Sequence, residues 1–242
     1  MHPKKKAVFF DFAGTLMDHE SDMKAHEEML AVFCTRYGIE EPLEGLMEPL
    51  HDFIRLFNLY TPNSKSLQRR EKIREAFQQY MQRYGLQSNE ENLLWFRQLY
   101  LEKHSECIHL YPEAQTVLRA LWETGLHVGL ISDIDNEFII HELARLGIIE
   151  YFDAITTSEE AGVSKPDPQV FEIALSKANC TGSEAIHIGD NLERDIIGAK
   201  SLGMTAIWFP NDSGNTSEEP DYTIYNLNEI LDIVVKFKIG ID

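Results

Sequence analysis

Two aspartates in this chain stand directly after short apolar runs. Asp11 follows Ala7-Val8-Phe9-Phe10, and Asp190 follows Ala185-Ile186-His187-Ile188-Gly189. Runs of that length read as buried strands of a sheet, each presenting its aspartate at the C-terminal edge. Ligands of open α/β sheets bind at that edge, so both carboxylates are placed where chemistry can occur. Side by side they would repel unless a cation lay between them. Hard oxygen ligands with open positions for water or an anion suit Mg²⁺. Asp195, just over one helical turn beyond Asp190, is spaced to complete the metal site by orienting the ion's waters.

Two further segments carry groups suited to an anion. Leu130-Ile131-Ser132-Asp133 is an apolar run ending in a hydroxyl, and a hydroxyl with its neighbouring backbone N–H groups can hold a phosphate oxygen. In Gly162-Val163-Ser164-Lys165-Pro166-Asp167-Pro168, the proline holds Lys165 extended, so its ammonium can be aimed inward. A fixed cation beside a nucleophilic carboxylate offsets its repulsion of an anionic substrate. Taken singly, each segment has a plainer reading: a helix cap for Ser132, a solvated loop for Lys165, capping acids for Asp190 and Asp195.

Taken together and in order they point further. Asp11-Phe12-Ala13-Gly14-Thr15 resembles motif I of the haloacid dehalogenase-like (HAD) hydrolases, whose usual form is Asp-x-Asp-Gly-Thr, with Ala13 in place of the second aspartate. Ser132, Lys165 and Gly189-Asp190 follow in the family's order. Gly147-Ile148, Tyr151-Phe152-Asp153, Ser158-Glu159-Glu160 and Lys165-Pro166 resemble its phosphatase-like members of subclass I. The resemblance covers nearly the whole chain. It implies attack of Asp11 on phosphorus to give an aspartyl-phosphate that water then hydrolyses. Ser132, Asp133 and Lys165 would hold the phosphoryl group. Mg²⁺ would be bound by Asp11, Asp190 and the backbone carbonyl of Ala13, with Asp195 in support. The substrate would be a small phosphorylated or otherwise anionic molecule.

Ala13 complicates that picture, because in the phosphatases the residue at this position protonates the leaving group and then activates water. Asp18, His19 and Glu20 are the nearest replacements in sequence. A phosphatase-type hydrolase is the leading reading. The phosphonoacetaldehyde hydrolases carry alanine here and use a cap lysine as a Schiff base, for which Lys24, Lys65, Lys72 and Lys103 are the candidates. A haloacid dehalogenase and a low-activity binding or regulatory protein complete the alternatives. A deliberate aspartate-to-alanine change at position 13 would give the same sequence.

The elements that must position these residues fall into two patterns. From about Asp18 to Ile108 apolar residues recur at helical spacing. Met23, His26, Leu30, Phe33 and Tyr37 share one helix face, closed by Gly38. A second helix runs from Pro42 through Leu43, Leu46, Leu50, Phe53, Ile54 and Phe57, with Pro49 kinking it. A third spans about Ser64 to Tyr84, stopped by Gly85. A fourth opens on Ser88 with Glu91 as a capping box and turns Leu93, Leu94, Phe96, Leu99 and Tyr100 inward. From Tyr111 onward strands and helices alternate, which means a parallel sheet covered on both faces. The helix after Asp190 is expected over Asp195–Leu202. The predicted fold is therefore α/β: a doubly wound, Rossmann-like parallel-sheet core from residues 1–17 and 109–242, with an inserted helical-bundle cap over 18–108.

Composition narrows the partners. Over 242 residues the formal net charge is −18, which argues against nucleic acid and against anionic membrane surfaces. Lys65, Arg69, Arg70, Lys72 and Arg74 place five of the 22 lysines and arginines within one short stretch. They form either an anion-attracting patch or, more simply, a solvated helix face. The apolar run after Lys4-Lys5-Lys6 is too short for a signal peptide, and no segment approaches the roughly 20 apolar residues of a membrane span. Cys34, Cys107 and Cys180 are widely spaced, which suits a reducing cytoplasm. His104-Ser105-Glu106-Cys107-Ile108-His109 gathers soft metal ligands but has no partner cluster in sequence, so it reads as a polar connector.

Overall fold

The computed structural model describes residues 4–40, 75, 78, 79, 81, 82, 84–210 and 219–239. The expected second helix, most of the third, the basic stretch Lys65–Arg74 and the polar loop Asn211–Asn215 lie outside the described residues. The chain divides into two compact units, Met1–His19 with His109–Asp242, and Glu20–Ile108.

The first unit is built on six parallel strands in the order β3-β2-β1-β4-β5-β6. These are β1 (Ala7–Phe10), β2 (His127–Ser132), β3 (Ala154–Thr157), β4 (Ala185–Gly189), β5 (Thr205–Trp208) and β6 (Tyr222–Thr223). The chain builds outward from β1 to β3, then crosses back to start β4 on the other side of β1. The junction of β1 and β4 is thus the switch point of a doubly wound sheet, where a crevice opens beyond the strand ends. Phe10 is level with Leu130 on one neighbour and Ile188 on the other, so the residues that follow these three strands emerge together.

All four residues of β1 are buried, as a central strand covered on both faces requires. Ala7 and Phe9 pack with Val170, Phe171 and Ala174 and with Ile196 and Ala199. Strand alternation sends Val8 and Phe10 to the opposite face. Gly129 is needed because a Cβ there would lie 2.5 Å from the Phe9 ring.

In the second unit, α1 (His19–Tyr37) and α2 (Glu90–Cys107) lie antiparallel: Tyr37 meets Trp95, Phe33 meets Phe96, and His26 meets His104. The buried face of α1 is Ala25, His26, Met29, Leu30, Phe33 and Cys34, rotated from the expected stripe so that Met23 and Tyr37 are only half-buried. On α2, Leu94 is 64% exposed rather than inward. Its cap is Asn89, whose side chain accepts from the Asn92 N–H at 2.9 Å, so Ser88 falls outside the helix and makes no capping box there.

The remaining helices of the first unit are α3 (Ala114–Glu123), α4 (Asn136–Arg145), α5 (Ser158–Ala161), α6 (Pro168–Lys177), α7 (Gly198–Ser201) and α8 (Glu229–Ile239). The helix expected over Asp195–Leu202 is different in kind. A π turn over Leu192–Ile197 precedes α7, started upstream by Asn191, whose side chain accepts from the Arg194 N–H. Among the described residues, no helix is long and apolar enough to cross a membrane.

Candidate active site

Asp11 is held at the end of β1 by its own N–H, which donates to the Ile188 carbonyl of β4 at 2.9 Å. The chain then curls tightly. The N–H groups of Thr15, Leu16 and Met17 all turn back to the Phe12 carbonyl, and Gly14 adopts φ +77°, a conformation that favours glycine. Beyond the curl the Asp18 N–H donates to the His109 carbonyl, and the Tyr111 N–H to that of Leu16. The long excursion between residues 18 and 109 therefore leaves and re-enters this unit through one clasp.

Lys165 is the centre of the site. Its ammonium, 1% exposed, lies 2.8 Å from Asp11 Oδ1 and 2.6 Å from Asp195 Oδ1. Its backbone N–H donates to Asp133 Oδ1 at 3.0 Å, which fixes the loop from which it reaches inward. Asp195 is itself fully held. Oδ1 also accepts from His187 Nε2 at 3.1 Å, and Oδ2 accepts from the Asn191 N–H at 3.1 Å. Because a carboxylate only accepts, the His187 proton is on Nε2. Gly189 makes room for this arrangement: a Cβ there would come within 2.3 Å of the Asp195 side chain. Trp208 Nε1 donates to the Asp190 carbonyl at 2.8 Å and pins the following loop.

Electrostatics follow from crowding. Burial raises the Asp11 carboxyl above the usual carboxylate range, with Lys165 acting in the opposite sense. Burial, then Asp195 and Asp11, push Asp190 up to about 7. Burial would lower the Lys165 ammonium, but Asp11 and Asp195 outweigh it and hold it above an ordinary lysine. Burial would raise Asp195 as well; here Lys165 prevails and the carboxyl stays well below its ordinary value.

The structure thus brings Asp11, Asp190, Asp195 and Lys165 together; a ligand oxygen of each aspartate lies within 4.8 Å of the other two. Ser132 is buried at the end of β2, its Oγ accepting from the Ile134 N–H at 3.3 Å. The Asp133 carboxylate turns to the Lys165 N–H and stands 3.7 Å from Arg194 Nη1, leaving its backbone as the part suited to an anion. Ala13 is half-buried in the curl. Asp18 pairs with His109 at 3.2 Å. Sequence reasoning missed His187 and Arg194. A histidine between two isoleucines of a buried strand was the available sign for the first.

Residues 5–203 match the haloacid dehalogenase-like hydrolase family. The chain belongs to that family. Among curated HAD relatives, a ribulose-1,5-bisphosphate 5-phosphatase of Halopiger xanaduensis is 31% identical over 56% of this chain and 61% of its own length. A glyceraldehyde 3-phosphate phosphatase of Pyrococcus abyssi is 28% identical over 84% of this chain and 81% of its own. A solved 2-haloacid dehalogenase of Pseudomonas syringae matches with TM-score 0.71 and 27% identity, over 96% of this chain and 99% of that one. The chain is therefore a hydrolase of a fold on which related proteins carry out both phosphate and halide chemistry.

Proposed function

We propose that this HAD hydrolase is a Mg²⁺-dependent phosphatase of small phosphorylated molecules, with Asp11 as nucleophile. The observation that carries this reading is the ammonium of Lys165 seated 2.8 Å from Asp11, beside two further buried aspartates. The cation opposes the burial that raises the Asp11 carboxyl and so favours the ionised form that can attack. A carboxylate oxygen of Asp11 would form a bond to phosphorus as the bond to the leaving oxygen breaks, and water would then cleave the acyl phosphate and restore Asp11.

The donor set fits a hard dication. Asp11, Asp190, Asp195 and Asp133 set four carboxyl groups against two cations, Lys165 and Arg194, and the crowding that raises Asp11 and Asp190 is what a dication would relieve. Asp11, Asp190 and the Ala13 carbonyl would hold Mg²⁺, which when bound neutralises phosphoryl charge. Asp195, with both oxygens already engaged, would position Lys165 and the ion's waters. Ser132 and the Asp133 backbone would take phosphoryl oxygens. Residues 18–108 would serve as the cap that selects substrate, on a core of residues 1–17 and 109–242. Three free cysteines suit a cytoplasmic setting.

One structural observation weighs against Lys103 as the Schiff-base lysine. Lys103 donates to Glu106 at 2.5 Å, and that hydrogen bond raises its pKa, whereas imine formation needs a neutral amine. Lys65 and Lys72 lie outside the described residues.

The test uses Ala13. Glyceraldehyde 3-phosphate and p-nitrophenyl phosphate are assayed with Mg²⁺ for wild type, Ala13→Asp and Asp11→Asn. Phosphate release lost in Asp11→Asn supports the nucleophile. Ala13→Asp should raise turnover of the sugar phosphate by about 10²-fold or more, and of p-nitrophenyl phosphate much less, since that leaving group hardly needs a proton. Equal gains on both substrates would remove the general-acid argument, and activity persisting in Asp11→Asn would remove the phosphatase mechanism.

A further inference from the structure

A second group of metal-ligating side chains sits in the helical unit, away from the sheet edge in sequence and in kind. Asp22 and His26 lie one turn apart on α1, and His104 faces them from α2; one ligand atom of each lies within 4.8 Å of the other two. His104 is fully buried and His26 is 5% exposed, while the Asp22 side chain keeps 23% of its surface in solvent.

The hydrogen bonds settle where the imidazole protons are. His104 Nδ1 is 2.8 Å from the Tyr100 carbonyl oxygen, and His26 Nδ1 is 2.8 Å from the Asp22 carbonyl oxygen. A carbonyl only accepts, so each Nδ1 is the donor, and in its neutral form such a ring has its lone pair on Nε2. His104 Nε2 stands 3.3 Å from Asp22 Oδ1. A lone pair facing a carboxylate oxygen is repulsive, and a cation between them turns the contact favourable. A proton would answer that one pair. The second imidazole stands edge-on to the first at 4.7 Å between ring centres and brings a third ligand atom to the group.

We propose that Asp22, His26 and His104 bind a divalent transition-metal ion, Zn²⁺ in particular. Three features favour it beyond proximity. The 3.3 Å separation of His104 Nε2 and Asp22 Oδ1 matches the edge of a tetrahedron with bonds of about 2.0–2.1 Å, which is about 3.3 Å. Both rings are anchored through Nδ1 to backbone carbonyls, the outer contact that fixes tautomer and orientation in metal-ligating histidines. Two imidazoles and one carboxylate form a donor set of borderline softness, which suits Zn²⁺ over Mg²⁺. Among the described residues, the Asp22 carboxylate is the solvent-facing side of the cluster. The cluster uses only one residue of the His104–His109 run. Cys107 instead turns to Glu28, and His109 to Asp18.

The experiment is a calorimetric titration of the full, chelator-stripped chain with Zn²⁺, and with Co²⁺ read by its visible ligand-field bands. Asp190→Asn serves as the background that weakens the acidic group of the core. The expected result is one Zn²⁺ per chain that persists in Asp190→Asn. The affinity falls by about 100-fold or more in His26→Gln and His104→Gln, and the Co²⁺ bands disappear with it. Should either buried histidine variant lose its helical circular dichroism, Asp22→Asn, at the exposed side of the cluster, carries the test and should show the same loss. A folded wild type that takes up no Zn²⁺ overturns the proposal, as does Zn²⁺ binding that survives unchanged in the folded variants or vanishes in Asp190→Asn alone.

Discussion

The two buried clusters of this HAD hydrolase are assembled in opposite ways. The one at the sheet edge draws Asp11, Asp133, Lys165, Asp190 and Asp195 from four distant stretches of chain, and the carboxylates of Asp11, Asp133 and Asp195 already face cations. The one in the helical unit draws Asp22 and His26 from a single helical turn and His104 from one neighbouring helix, and its carboxylate faces imidazole. The parallel sheet aligns the ends of β1, β2 and β4, so residues remote in sequence converge, most of them marked by the apolar run that precedes them. In the helix pair, 3.6-residue periodicity places Asp22 beside His26, but nothing periodic says that His104 of the other helix joins them. The first cluster combines fixed charges of both signs, suited to moving an anion through a reaction. The second combines two imidazoles with one carboxylate, suited to holding an ion in place.

The largest difference should appear when each cluster loses a charge. Lys165→Met leaves Asp11 and Asp195 buried and facing each other. Breaking a buried pair of this kind costs about 3–5 kcal/mol, or a fall in Tm of about 6–20 °C for a chain of this size. Proton uptake by Asp11, whose carboxyl burial already raises, limits the loss. Asp22→Asn removes a half-exposed carboxylate and should cost about 1 kcal/mol or less in chelator. Thermal unfolding of both variants by circular dichroism checks the contrast. Equal shifts would mean that the core ion pairs are no more committed to the fold than the helical cluster.

A smaller effect should separate the clusters by ligand. Asp190→Asn should weaken Mg²⁺ by at least about tenfold, or about 1.4 kcal/mol, while leaving Zn²⁺ affinity at Asp22, His26 and His104 unchanged. Calorimetry with each ion in turn measures both. Mg²⁺ affinity that is indifferent to Asp190 would detach the acidic trio from metal binding altogether.

How much of this was legible in the sequence depends on which interactions were local. The strands β1, β2, β4 and β5 were readable because central parallel strands are continuous apolar runs, and their parallel arrangement followed from alternation with helices, whereas the strand order came only from the structure. The convergence of Asp11, Lys165, Asp190 and Asp195 was inferred from motif order. Their hydrogen bonds were beyond reach: nothing in the sequence says that Asp195 is shared by Lys165, His187 and the Asn191 N–H. The π turn over Leu192–Ile197 was missed because Asn191 competes with later residues for the helix start. On α2 the error was a rotation: Leu94 follows the apolar count but faces solvent, because Leu93 and Phe96 already fill the inward face. His104 was read with its sequence neighbours, whereas its partners lie some eighty residues upstream on α1.

The smallest effect concerns a second buried lysine that sharpens the first. Lys5, just ahead of β1, donates to the Ser183 carbonyl at 2.8 Å, the Ala185 carbonyl at 3.2 Å and Thr205 Oγ1 at 2.6 Å. These are neutral acceptors, where Lys165 has two carboxylates. Burial accordingly prevails and lowers Lys5 from 10.5 to about 8, with Asp221 opposing weakly. The sign of the linkage follows. Between about pH 8 and 10.5 the unfolded chain holds this proton more tightly than the folded one, so stability from Lys5 rises with pH across that window and is lost again as pH falls back to about 8. Lys5→Met should remove that slope. Relative to the variant, wild type should gain about 1–2 kcal/mol between pH 7.5 and 10, after allowance for solvent screening. Urea unfolding at the two pH values, taken for both proteins, measures the difference. A gap that narrows or stays constant with rising pH would show that the three neutral acceptors hold the ammonium as firmly as the carboxylates hold Lys165.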